Sequence, residues 1–153
     1  MNTSVLTASQ TLALNAIAEL AATNGWRAET VIVEETLVYQ LPLPNDPDVT
    51  GAFFAIDDDE SNIRLYLTLP FSLPPSRVSE AAEFVIRNNF GLKYGSLEFD
   101  LDHGTLRVRT DTDFTEDAVA AAPVRLFDRA MTLARAVSPG WRNLCEEPSH
   151  EAV

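Results

Sequence analysis

The spacing of apolar residues changes several times along the chain, and each change marks an element. Over residues 8–23, Leu12, Ala13, Ala16, Ile17, Leu20 and Ala21 fall on one stripe at helical period. Thr7 and Gln10 stand before it at capping-box spacing, and Asn24-Gly25 supplies a stop. Over 30–41 the period drops to two. Val31, Val33, Leu37, Tyr39 and Leu41 then share one face, and only Glu35 breaks the alternation. This predicts one long strand bulged at Glu34-Glu35, or two short ones.

Three prolines and two aspartates make 42–50 a loop. Residues 51–57 and 62–70 read as a hairpin, with Ile63, Leu65, Leu67 and Leu69 on one face of its second arm. Pro74-Pro75 opens a second helix, whose predicted stripe is Val78, Ala81, Ala82, Val85 and Ile86 and whose end is Asn88-Asn89. A second hairpin turns at Asp102-His103-Gly104, with Leu97, Phe99, Leu101, Leu106 and Val108 expected inward. Glu98 and Asp100 are expected to face Arg107 and Arg109 across it. The last helix begins after Thr115 and either kinks at Pro123 or starts there after a short turn. Val124, Phe127, Met131, Ala134 and Val137 form its expected apolar face, and Pro139-Gly140 its expected stop.

The order is therefore α-β-β-β-α-β-β-α. Strands joined by short turns run antiparallel, which gives an α+β fold: about five strands and three helices. The 153 residues fit one domain with a core of its own, with 8–144 as the ordered part and 145–153 as a loose polar tail.

Charge narrows the possible partners. The net charge is −12, and residues 1–60 hold ten acids against Arg27 alone. Such a surface repels a phosphate backbone and an anionic bilayer, so neither nucleic acid nor membrane is an expected partner. No apolar run approaches the ~20 residues of a membrane span, and the first residues lack the pattern of a signal peptide. The expectation is a cytoplasmic protein. Cys145 stands alone, so no intrachain disulfide is available.

Chemistry is sparse. Asp100, Asp102 and His103 could hold a metal or form a small acid–base site at the hairpin tip. The competing reading is an ordinary turn, and it is favoured because no second histidine lies near. The run Asp57-Asp58-Asp59-Glu60 lacks the glycine and distant glutamate of a calcium loop. Cys145 and His150 are near in sequence but share a tail with no orienting partner. No catalytic residue, cofactor or metal is assigned. Aromatic residues are the stronger binding groups. Phe53 and Phe54 alternate across a strand, and Tyr66 and Tyr39 are candidates for a sheet face without helices. Such a face is an apolar patch unless the sheet curls or a loop covers it. Phe53, Phe54, Tyr66, Val78 and Val85 are the candidate partner or dimer contacts.

Residues 76–115 resemble the YbjN family, bacterial proteins provisionally assigned to sensory transduction regulation. Three features carry the resemblance. A helix ends in Asn88-Asn89, Gly95 precedes an alternating strand with Leu97 and Phe99, and an Asp/Gly turn leads to Leu106-Arg107-Val108-Arg109. The order of elements from the first helix to Trp141-Arg142-Asn143-Leu144 extends it over most of the chain. Pro123 and the proline-rich 42–50 loop depart from the pattern. The resemblance implies a fold like that of type III secretion chaperones, with helices on one face of a curved antiparallel sheet. It also implies a homodimer and a non-enzymatic, protein-binding or regulatory role. It supplies no catalytic residues.

Overall fold

The computed structural model describes residues 5–58 and 60–146. Helix α1 spans Ala8–Asn24. At its start the Thr7 hydroxyl accepts from the Gln10 N–H at 3.1 Å, and the Gln10 side chain returns a bond to the Thr7 N–H at 3.1 Å. Gly25 ends the helix in a left-handed conformation, φ +67°, that a side chain disfavours. Strands β1 (Glu29–Val33) and β2 (Thr36–Pro42) follow, then β3 (Gly51–Ile56) and β4 (Asn62–Thr68). Helix α2 (Val78–Asn89) grows out of a single 3-10 turn at Pro75–Arg77. Strands β5 (Ser96–Asp100) and β6 (Thr105–Asp113) form the second hairpin, and a 3-10 turn at Val119–Ala121 leads into α3 (Ala122–Cys145).

The six strands make one antiparallel sheet in the order β1-β2-β3-β4-β6-β5. Six strands replace the expected five because the 30–41 segment is two strands joined by a two-residue turn. Glu34 and Glu35 both hold positive φ, +48° and +70°, the backbone of a tight hairpin turn. The turn changes the parity of the alternation. Ile32 lies opposite Leu37 and Val31 opposite Val38, so Val31 and Val33 stand on the other face from Leu37, Tyr39 and Leu41. Gln10 anchors this turn. Its buried side-chain N–H₂ donates to the Glu35 carbonyl at 2.9 Å and the Ile56 carbonyl at 3.1 Å.

The core lies between the sheet and helices α1 and α3. Leu37, Phe54, Ile56, Leu65, Leu67, Leu106 and Val108 meet Ile17, Leu126, Ala134 and Trp141 there. Thr110 of β6 is buried and donates to the Leu126 carbonyl, which ties the sheet to α3. Tyr39 belongs to this layer, so it does not stand on the helix-free face.

Several inward expectations shift. Pro123 lies in the first turn of α3, so the helix starts there without a kink. Pro139-Gly140 does not stop α3. Pro139 removes one helical hydrogen bond, a loss of ~3 kcal/mol in an isolated helix. Trp141, fully buried against Phe84 and Phe99, offsets it: ~200 Å² at ~25 cal/mol per Å² stabilises by about 5 kcal/mol, less ~1–3 kcal/mol for its indole N–H, which has no hydrogen-bond partner among the described residues. Gly140 leaves room for Phe84, whose ring carbon lies only 2.8 Å from where a Cβ would sit. In α2 Val78, Ala81 and Val85 face inward as expected and Phe84 joins them, while Ile86 is 70% exposed, because the helix meets the body along one narrow line of β5 and α3. In α3, Leu126 and Ala130 are buried and Val124 faces outward. Leu101 is also exposed, since β5 ends at Asp100 and the alternation ends with it.

Candidate interaction face of the sheet

The helix-free face is built from alternate residues of every strand. Across its middle runs the row Gln40, Phe53, Tyr66, Arg109, Ser96, set by the strand register. Phe53 and Tyr66 are directly opposite, and their rings stack at 4.8 Å between centroids, 25° apart. The Arg107 guanidinium lies 4.1 Å from the Tyr66 ring centre, a cation–π contact. Glu98, opposite Arg107 in the register, holds that guanidinium in place at 2.8 Å. The face thus covers its own centre. Tyr66 is only 8% exposed although no helix packs on it. The expectation of an open aromatic patch or a covering loop gives way to this arginine–tyrosine–phenylalanine stack. Beside it, Arg109 has a buried Nε without a hydrogen-bond partner among the described residues, and its nearest carboxylate oxygen, on Asp111, is 3.9 Å away.

Exposure is displaced to the β1 end of the face. Val31 and Val33 are 45% and 52% exposed there, on a strand with a partner on one side only among the described residues. Alternate residues of such an edge turn their N–H and C=O groups outward. Glu29, Glu34 and Glu35 make the edge acidic. A cleft of about 940 Å³ opens at the base of β1, lined by Arg27, Glu29, Gln40, Gly51, Phe53 and Thr68 among others.

The opposite edge, β5, is engaged at Leu97. Asn89, the last residue of α2, accepts from the Leu97 N–H at 2.7 Å and donates to the Leu97 carbonyl at 3.0 Å. One side-chain amide thereby stands in for a neighbouring strand's peptide. Among the described residues the two edges of the sheet are chemically unlike: β5 is held at Leu97 by Asn89 and packed by α2, and β1 has no strand on its outer side.

The sequence candidates distribute as follows. Phe53 and Tyr66 share the helix-free face. Phe54 is fully buried on the other side, in the core and out of a partner's reach. Val78 and Val85 are half-buried against the core from α2, and the exposed apolar groups of that region are Ile86 and Phe90. The structure therefore does not gather the five contacts into one surface. The sequence pattern puts the β1 valines on the same face as Leu37, Tyr39 and Leu41, and so does not single out the β1 edge.

The hairpin tip is organised as a turn. One Asp100 carboxylate oxygen accepts the Asp102 and His103 N–H groups at 2.9 and 3.2 Å. The other lies 2.8 Å from His103 Nδ1. The bond to His103 is the main influence holding the Asp100 carboxyl below the usual aspartate range, and the two backbone bonds add to it. Both oxygens are engaged by the turn itself, and Asp102 contributes its backbone only. Arg107 pairs with Glu98 as expected, but Asp100 faces Thr105 and makes no pair with Arg109. Among the described residues no three His, Cys, Asp or Glu side chains converge as a metal site. Of the acidic run at 57–60, Asp57 is engaged by Thr36 at 2.6 Å and Arg64 at 2.9 Å, and Asp59 lies outside the described residues. Cys145 ends α3, where burial raises its thiol pKa, with Arg77 opposing in part. His150 and the rest of the tail from 147 lie outside the described residues. No helix among the described residues is long and apolar enough to cross a membrane.

This geometry defines a class: α+β, a six-stranded antiparallel sheet with helices on one face. Neither a protein-family model nor a curated protein matches the sequence. Among solved structures, the chain is similar to the crystal structure of YbjN from E. coli, at 16% identity and a TM-score of 0.51, over 83% of this chain and 92% of that one. It is also similar to a chain in the crystal structure of the ExsC–ExsE complex, at 13% identity and a TM-score of 0.38, over 87% of this chain and 98% of that one. At these identities the likeness is one of fold, and it is the YbjN match that carries it.

Proposed function

We propose that this protein is a non-enzymatic, cytoplasmic protein-binding module with a regulatory role of the YbjN type. The observation that carries the proposal is the asymmetry of the sheet edges. A strand edge unpaired among the described residues and flanked by exposed valines, on a molecule whose other edge is engaged at Leu97 by Asn89, suits an extended segment of a partner protein. Main-chain bonds to β1 supply affinity, and side chains reaching Val31, Val33 and the adjoining cleft supply selectivity. The acidic surroundings favour a partner segment with basic residues. The fold-level likeness to YbjN, itself provisionally assigned as a transcription regulator, agrees with a regulatory role. A homodimer belongs to the same reading, with Ile86 and Phe90 as the exposed apolar groups available on and beside α2.

The experiment is affinity capture from a bacterial lysate with the parent protein and with Val31→Lys/Val33→Lys. At half-exposed strand positions each substitution changes stability by about 1 kcal/mol or less, so melting temperature is read alongside capture. A partner retained by the parent and lost from the variant at equal melting temperature supports the β1 edge. Equal retention removes the edge from the proposal. Light scattering at micromolar concentration reads the dimer directly, and a strict monomer overturns that part.

A further inference from the structure

A second cleft lies on the helix side of the sheet, between α3 and the 42–50 loop, with a volume of about 700 Å³. That is within the ~300–1,000 Å³ of small-molecule sites. Its apolar wall is aromatic: Trp26 and Phe127 meet at 4.8 Å between ring centres, tilted by 48°, with Leu43 and Met131 beside them. The loop that forms the other wall is preorganised. Three prolines restrict it, the Asp46 N–H donates to the Leu43 carbonyl, and the Asp48 N–H donates to the Asp46 carboxylate. Arg135 of α3 then grips it with both ends of its guanidinium, to Asp46 at 3.0 Å and Asp48 at 2.9 Å.

That grip decides the electrostatics. Arg135 is the one basic residue lining the cleft, and both its terminal nitrogens are occupied by the loop carboxylates. Asp128, also lining the cleft, has no ion-pair partner among the described residues. Two lining carboxylates, Asp46 and Asp128, with Asp48 behind Arg135, against one guanidinium leave the site negative. An anionic ligand is repelled, and a neutral one forgoes the attraction. A cation gains from Asp128 and from the aromatic faces together.

We propose that this cleft binds a small organic cation, an ammonium or quaternary ammonium group carried on an aromatic or branched apolar body. The site is independent of the β1 edge, so either proposal can fail alone. The test is NMR of the full-length protein with benzyltrimethylammonium as the probe, and phenylacetate and benzyl alcohol as its anionic and neutral counterparts. The two tryptophans give two indole N–H signals, assigned by the loss of one in Trp26→Phe. The expected result is a saturable shift of the Trp26 signal with a Kd of ~1 mM or below, while the buried Trp141 stays still. Phenylacetate and benzyl alcohol bind at least about threefold more weakly, the preference of a solvent-exposed cation–π contact. Asp128→Asn, at an exposed position that leaves the fold intact, weakens the cation and narrows its advantage over benzyl alcohol. No saturable shift at ~20 mM, ten or more times the expected Kd, overturns the proposal. So does equal binding of phenylacetate, or an unchanged affinity in Asp128→Asn.

Discussion

Replacing Asn89 by alanine removes both bonds that close the β5 edge. The Leu97 N–H and carbonyl lose partners at 2.7 and 3.0 Å, in a region that is only part-buried. Each bond contributes ~0.5–1.5 kcal/mol net, and water reaches the freed groups in part, so the loss is about 2 kcal/mol. For a domain of this size that lowers Tm by about 4–8 °C. Asn89→Asp sharpens the test. It keeps the acceptor for the Leu97 N–H but sets a carboxylate oxygen against the Leu97 carbonyl. At pH 7 it is therefore less stable than the alanine variant. Below roughly pH 4 the protonated carboxyl regains a donor, and the order narrows or reverses. Urea unfolding of the three proteins at pH 7 and pH 4 reads both effects. Light scattering reads a third, because an unplugged edge invites strand pairing and raises the mass above the parent's. An alanine variant within ~0.5 kcal/mol of the parent, or an aspartate variant more stable than alanine at pH 7, refutes the reasoning.

Three further outcomes follow from the same contacts. Gln10→Ala breaks three side-chain bonds at a buried position, which lowers stability by about 3 kcal/mol in urea unfolding; combined with Thr7→Ala the losses are less than additive, since the two residues cap each other. Arg77 donates to the carbonyls of Asn143, Leu144 and Glu146, so Arg77→Ala speeds hydrogen exchange in the last turn of α3 and leaves the central strands unchanged. The folded-state pKa of Asp100 is depressed, so its contribution is full above the unfolded carboxylate value and is lost as pH falls through the depressed value. Asp100→Asn keeps the turn's acceptor but not the charge. It melts below the parent at pH 7, and the gap closes in acid; a gap that is constant with pH contradicts the charge account.

Much of the fold was legible because local signals agreed with tertiary ones. Helix α1 has its cap, stripe and glycine stop in consecutive residues, and both later hairpins show alternation around turn residues. The split of the 30–41 segment is not decided by its residues, since two glutamates give no turn signal. The contact that holds them, from Gln10, comes from another element. That one uncertainty reversed the face of Val31 and Val33 and hid the β1 edge. Pro139-Gly140 misled in the opposite way: two helix breakers in sequence are overridden by the burial of Trp141 beside Phe84. Asn89 was readable as a helix terminator, whereas its second use, closing β5, depends on where the turn after it brings Leu97. Phe53 and Phe54 were correctly split across the sheet, but which faced the core was not readable. Alternation carries no sign until a helix is placed.

The Arg77 clamp has a consequence for how the molecule can be handled. It gathers the end of α3 beside α2, at the β5 side of the sheet. The β1 edge lies five inter-strand steps away, about 24 Å at ~4.8 Å per step. Glu146 therefore sits on the flank opposite β1. A dye placed at Glu146 itself starts about that far from β1, and energy transfer between it and a captured segment becomes a ruler for which edge of the sheet has been used.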